Sequence, residues 1–92
     1  MAVPVEVKAL RELKLYVKYS DGLDGVISLK RHEKDPSYDK LLEFDYFATV
    51  SIDKKTKDIY WDNGISLCKN AVYKQLDLIR LAKSLKLDLN KF

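Results

Sequence analysis

The first third of the chain alternates between apolar and polar positions. Val5, Val7 and Ala9 are separated by Glu6 and Lys8, and Leu13, Leu15, Val17 and Tyr19 by Lys14, Tyr16 and Lys18. A period of two marks a strand with one wet and one buried face, so these residues predict two strands. Val26 to Leu29 predicts a third. Between them, Ser20-Asp21-Gly22-Leu23-Asp24-Gly25 supplies residues that tolerate positive φ and bond their own backbone. That chemistry predicts a turn, and with it a hairpin over 13–29. Pro4 stands at the chain start, where a missing N–H costs a sheet little.

Residues 30–45 lose the alternation. Lys30 to Asp35 is a charged stretch without apolar spacing, which predicts a solvated loop. Asp35-Pro36 predicts a short helix, with Asp35 as N-cap and Pro36 at the first helical position. Tyr38, Leu41 and Leu42 would then share its inner face. Alternation returns from Tyr46 to Asp53, where Ala48, Val50 and Ile52 oppose Phe47, Thr49 and Ser51, and a strand is predicted. Lys54 to Asp58 reads as a hairpin loop and Ile59-Tyr60-Trp61 as the returning strand, closed by the turn residues Asp62-Asn63-Gly64. In that turn Gly64 is expected at positive φ, and Trp61 is expected in the core.

The last segment switches to a helical period, with Asn70 as the predicted N-cap of a helix from Ala71 to about Leu85. At 100° per residue, Val72, Leu76 and Ile79 form one apolar face. Leu78, Leu81, Ala82 and Leu85 form a second, turned from the first by roughly 120–130°. One small sheet covers only one of these faces. Leu78, Leu81 and Leu85 are therefore assigned to a contact with a second polypeptide, most simply another copy across a two-fold axis, otherwise a small protein partner. Leu85, Leu87 and Leu89 also alternate with Lys86, Asp88 and Asn90, so the tail could also dock as an extended segment. Together the elements predict an α+β fold: a small mixed or antiparallel sheet in β(3)-α-β(2)-α order, with the C-terminal helix packed on it. Its length of 92 residues fits a single domain, 1–92, divided into a strand-rich body (1–68) and a basic helix and tail (69–92).

Charge adds an alternative. The net charge is +3, but residues 69–92 alone hold six Lys/Arg against two Asp/Glu. That excess, with the lysines of the 54–58 loop, is the footprint a nucleic-acid-binding regulatory module would need. The candidate phosphate contacts are Lys54, Lys55, Lys57, Lys74, Arg80 and Lys83. Tyr16, Tyr46, Tyr60 and Trp61 would stack unpaired bases if exposed on one sheet face, and are core if packed under the helix.

Catalytic chemistry finds little support. His32 is the one histidine and Cys68 the one cysteine, far apart in sequence and without the further ligands of a zinc site. Cys68, between Leu67 and Lys69, reads as a small apolar filler near the helix start. Asp21 and Asp24 flank a glycine without the oxygen ligands of a calcium loop, so turn formation accounts for them. No glycine-rich phosphate loop is present. No catalytic residue, metal ligand or cofactor is assigned, and Asp21, Gly22, Trp61, Asn63 and Gly64 are read as structural. A single cysteine and the lack of a signal-peptide or membrane-spanning apolar run predict a cytoplasmic protein with no membrane partner.

The order of features also resembles a known family. The pieces PVEVKAL, LKLYVKYSDG, GVISL, FATVSID and IYWDNGISLCKNAVY are similar to bacterial domain-of-unknown-function family 2442, over about residues 3–75. Trp61-Asp62-Asn63-Gly64, followed by Leu67 and later Tyr73, is the most specific part. Two departures stand out: Ser66 occupies a position that is usually acidic, and no helix-turn-helix domain of the kind some members carry follows the motif. The resemblance implies the same small α+β fold and no enzyme activity. It further implies a companion of another small protein, in the manner of an antitoxin.

Overall fold

The fold is described for residues 2–84 of a computed structural model. Three strands, β1 (Pro4–Leu10), β2 (Lys14–Tyr19) and β3 (Asp24–Ser28), form an antiparallel sheet in that order. Leu13, Leu15, Val17 and Tyr19 are all buried, as their alternation predicts. Asp21 makes the β2–β3 turn by accepting the Leu23 N–H at 3.0 Å, beside Gly22 at φ +93°. β1 departs from its pattern at one point. The register shifts between Pro4 and Glu6, and this rotates Val5 outward to 56% exposure.

The register of β3 fixes the direction of its main-chain groups. Tyr19 N–H donates to the Leu23 carbonyl and Leu29 N–H to the Leu13 carbonyl, each at 2.7 Å. Bonded pairs alternate along an antiparallel ladder, so Gly25 and Ile27 bond β2 while Asp24, Val26 and Ser28 point their N–H and C=O groups away from it. At the opposite edge of the sheet, β4 lies against β1.

The middle of the chain is more helical than its alternation suggests. A 3₁₀ turn at Lys30–His32 precedes a 3₁₀ helix at Pro36–Leu42, capped by Asp35, which accepts the Ser37 N–H at 3.0 Å. Three residues per turn put Tyr38 and Leu41 on one face but turn Leu42 outward, to 54% exposure. The strand expected from Tyr46 is largely absent. Residues Phe44–Phe47 form one α-helical turn, α1, and Phe47 and Ala48 N–H groups donate back to the Glu43 and Phe44 carbonyls. Phe47 is thereby aimed at Trp61, and both are buried.

A second antiparallel sheet then forms from β4 (Ser51–Ile52), β5 (Ile59–Tyr60) and β6 (Ser66–Leu67). β6 follows the expected turn, in a stretch to which no strand was assigned, so the later group holds three short strands in a sheet of its own. Asn63 accepts the Ile65 N–H at 3.2 Å and Gly64 sits at φ +94° in the turn between β5 and β6.

Helix α2 (Lys69–Ser84) closes the described chain, packed on the first sheet. It starts one residue before the expected N-cap. Asn70 lies inside its first turn, and the capping role falls to Asp58 of the β4–β5 loop, which accepts the Lys69 N–H at 2.9 Å. Val72 and Leu76 are buried and Ile79 half-buried. Ala82, grouped in the sequence with the outer leucines, is instead buried at 9% exposure. It lies only about 60° from Ile79 around the helix, at the margin of the inner face.

Candidate interaction surface

The position of α2 is set by two tyrosines and a glycine. Tyr19 of β2 donates its hydroxyl to the Lys69 carbonyl at 2.6 Å, and Tyr73 of α2 donates to Asp21 at 2.6 Å. The two rings meet edge to face at 5.0 Å. Further along, α2 approaches β3 so closely that a Cβ at Gly25 would stand 2.9 Å from Leu76 Cδ2. Gly25, read in the sequence as a turn residue, is where the helix touches the sheet.

These contacts move the ionisation of the groups involved. The Tyr73 hydroxyl and the Leu23 N–H hold the Asp21 carboxyl below its usual range, while the same hydrogen bond to Asp21 raises Tyr73. Burial pushes Tyr19 up to about 12. Across the neighbouring strands, Tyr16 donates to Asp24 at 2.8 Å and is raised by that bond. Asp21 and Asp24 are thus ties between elements as well as turn residues.

With its inner face fixed, α2 turns its outer face to solvent. Leu78 is 70% and Leu81 52% exposed, and Val26 on the adjoining edge of β3 is 42% exposed. Leu85, the third residue assigned to this face, lies outside the described residues. Cys68, expected as filler, is exposed at the start of α2, because β6 and the helix start turn its side chain away from the core.

The six candidate phosphate contacts divide between two elements. Lys54, Lys55 and Lys57 ride the β4–β5 loop, where Asp53 accepts the Lys55 and Thr56 N–H groups at 2.7 and 3.0 Å. The helix cations lie toward the carboxylates of the β2–β3 turn. Lys74 shares a cavity with Asp21, Arg80 pairs with Asp77 and shares one with Asp21 and Asp24, and Lys83 shares one with Asp24. His32 stacks on Tyr38 at 4.6 Å. Among the described residues, no group of three or more His, Cys, Asp or Glu side chains could hold a metal ion, and no helix is long and apolar enough to cross a membrane.

A second apolar feature was not anticipated. Leu10, Leu13, Leu42, Phe44 and Phe47 line a cleft of about 520 Å³ beside the β1–β2 turn, rimmed by charged side chains such as Arg11 and Lys30. Its signal in the sequence was concealed by the 3₁₀ geometry that turns Leu42 outward.

Set against known families, the chain matches the model described as "Protein of unknown function (DUF2442)" over residues 4–77, and it belongs to that family. No curated protein and no solved structure matches it.

Proposed function

We propose that this member of a family without an assigned activity is a non-enzymatic interaction module, antitoxin-like in its manner of working, that holds a second polypeptide on the outer face of α2. One observation carries the reading: Leu78 and Leu81 stand exposed one turn apart on a helix whose orientation is locked by Tyr19, Tyr73 and Gly25. A contiguous exposed apolar patch on a rigid element marks a protein contact. A small protein partner suits this face, because each buried leucine contributes about 1.5–3 kcal/mol toward association.

The test is co-purification with the small proteins encoded beside it, followed by light scattering of wild type and of Leu78→Lys/Leu81→Lys. A complex that forms with wild type and not with the folded double variant supports the reading. A complex that tolerates both lysines refutes it. The second reading, a nucleic-acid-binding regulatory module, draws on one observation, the exposed tip of the β4–β5 loop with Lys54 and Lys55. It predicts an affinity for duplex DNA that falls with log salt, with a slope of about −0.9 per phosphate contacted.

A further inference from the structure

The free edge of β3 has a self-complementary register. Asp24, Val26 and Ser28 direct their main-chain N–H and C=O groups outward, and among the described residues none of these groups has a hydrogen-bond partner. Natural proteins blunt such edges with proline, lysine or a bulge. β1 carries Pro4, Lys8 and a register shift, and it is flanked by β4. β3 has no lysine, no proline and no shift, and its central residue, Val26, is an exposed β-branched side chain. Beside this edge runs a groove of about 320 Å³ between β3 and α2, with Val26, Leu76 and Ile79 among its lining residues.

We infer that β3 pairs antiparallel with β3 of a second copy, about a two-fold axis through Val26, to give one continuous six-stranded sheet. The self-complementary register selects a second copy as the occupant. Centred on Val26, the pairing sets Val26 opposite its own copy and Asp24 opposite Ser28 of the other chain. Each of the three outward residues then meets an outward residue and exchanges both bonds with it. A centre at Asp24 would oppose two carboxylates, and a centre at Gly25 or Ile27 would pair only two of the three outward residues with one another. In the chosen register Gly25 faces Ile27 of the partner, so the side chain absent under Leu76 lies opposite a large one. This contact is made by the main chain of the β3 edge and not by Leu78 and Leu81.

Cysteine crosslinking in a Cys68→Ser background tests both the contact and its register. In a bonded antiparallel pair the two Cα atoms are about 5.5 Å apart, within disulfide range. Val26→Cys should therefore oxidise to a covalent dimer. Asp24→Cys and Ser28→Cys should each stay uncrosslinked under the same oxidant, because each would lie about 14 Å from its own copy. By light scattering, wild type should be a dimer. Val26→Pro removes an N–H that the β2 ladder does not use, and Val26→Lys adds a guarding charge; each should weaken the dimer about tenfold or more. Leu78→Lys/Leu81→Lys should leave the dimer intact, so failure of the helix-face reading and failure of this one are told apart. A monomeric wild type, a dimer untouched by Val26→Lys, or crosslinking at Asp24→Cys in place of Val26→Cys would overturn the inference. If Val26→Pro does not fold, Val26→Lys and the crosslinks decide it.

Discussion

The indole of Trp61 lies nearly flat against Phe47, with ring centroids 5.5 Å apart and planes 15° from parallel, and its Nε1–H donates to the Phe47 carbonyl at 2.9 Å. One residue thus grips the other by both ring and main chain. The single α-helical turn of α1 presents Phe47 in that pose, and β5 leads directly into Trp61. The pair joins the middle of the chain to the second sheet.

Trp61→Ala should therefore cost about 3–5 kcal/mol, a large share of a total stability near 5–15. Trp61→Phe keeps the apolar contact but loses the hydrogen bond and part of the volume, and should cost about 1–3 kcal/mol. Urea denaturation of both variants checks the order.

Gly25→Ala places a methyl group against Leu76 Cδ2 where α2 crosses β3. Leu76 is buried, so its side chain has little room to withdraw. The substitution should destabilise by about 1–3 kcal/mol, as overpacking does. In a double-mutant cycle with Leu76→Ala, the two losses should add to less than their sum. Full additivity would place the strain elsewhere.

The tyrosines give stability a defined pH dependence. Tyr19 is raised to about 12 in the folded protein by burial. A raised value means the contribution is complete below the unfolded value near 10 and lost as pH rises toward 12. Melting temperature should fall across that window, and less steeply in Tyr19→Phe. Asp21 is lowered, so its contribution is present above the ordinary carboxylate value and lost as acid brings the pH down through the folded value. In Tyr73→Phe the Asp21 carboxyl should titrate at higher pH than in wild type, read by carbon-13 NMR.

Glu12 and Leu13 hold left-handed conformations at φ 63° and 56°. Leu13 is compensated by burial, whereas Glu12 is exposed and gains only a distant contact with Lys14 at 3.8 Å. Asparagine visits this region readily. Glu12→Asn should stabilise the protein by about 0.5–1 kcal/mol, visible as a higher melting temperature.

The first sheet was legible because its strands are long enough for alternation to be unambiguous, and Asp21-Gly22 is a strong turn signal. Past Leu29 the period-two pattern misleads. Phe47, Thr49 and Ser51 alternate with Ala48, Val50 and Ile52, yet the run is too short to resist local bonding back to Glu43 and Phe44. Strands of two residues, such as β6, carry no periodicity at all. The outer leucines of α2 were legible from helical spacing alone, since burial of Val72 and Leu76 obliges Leu78 and Leu81 to face outward. The β3 edge was not, because which main-chain groups point away from a sheet depends on register, and register is set by turns. Gly25 was hidden for a similar reason: a close approach to Leu76 is a tertiary event.

The carboxylate that caps α2 comes from outside the helix, and this bears on the order of assembly. Asp58 can accept the Lys69 N–H only after the β4–β5 loop has closed and β6 has paired with β5. A helix of this length is marginal in water on its own, since nucleation is unfavourable. The first turn of α2 should then be unformed in the folding transition state while the β1–β2–β3 hairpins, local in sequence, are already built. Asp58→Ala should lower stability by about 0.5–2 kcal/mol and do so mainly by accelerating unfolding, leaving the refolding rate nearly unchanged in a stopped-flow chevron. The helix that presents the contact face would then be the last piece to lock, and the first to let go.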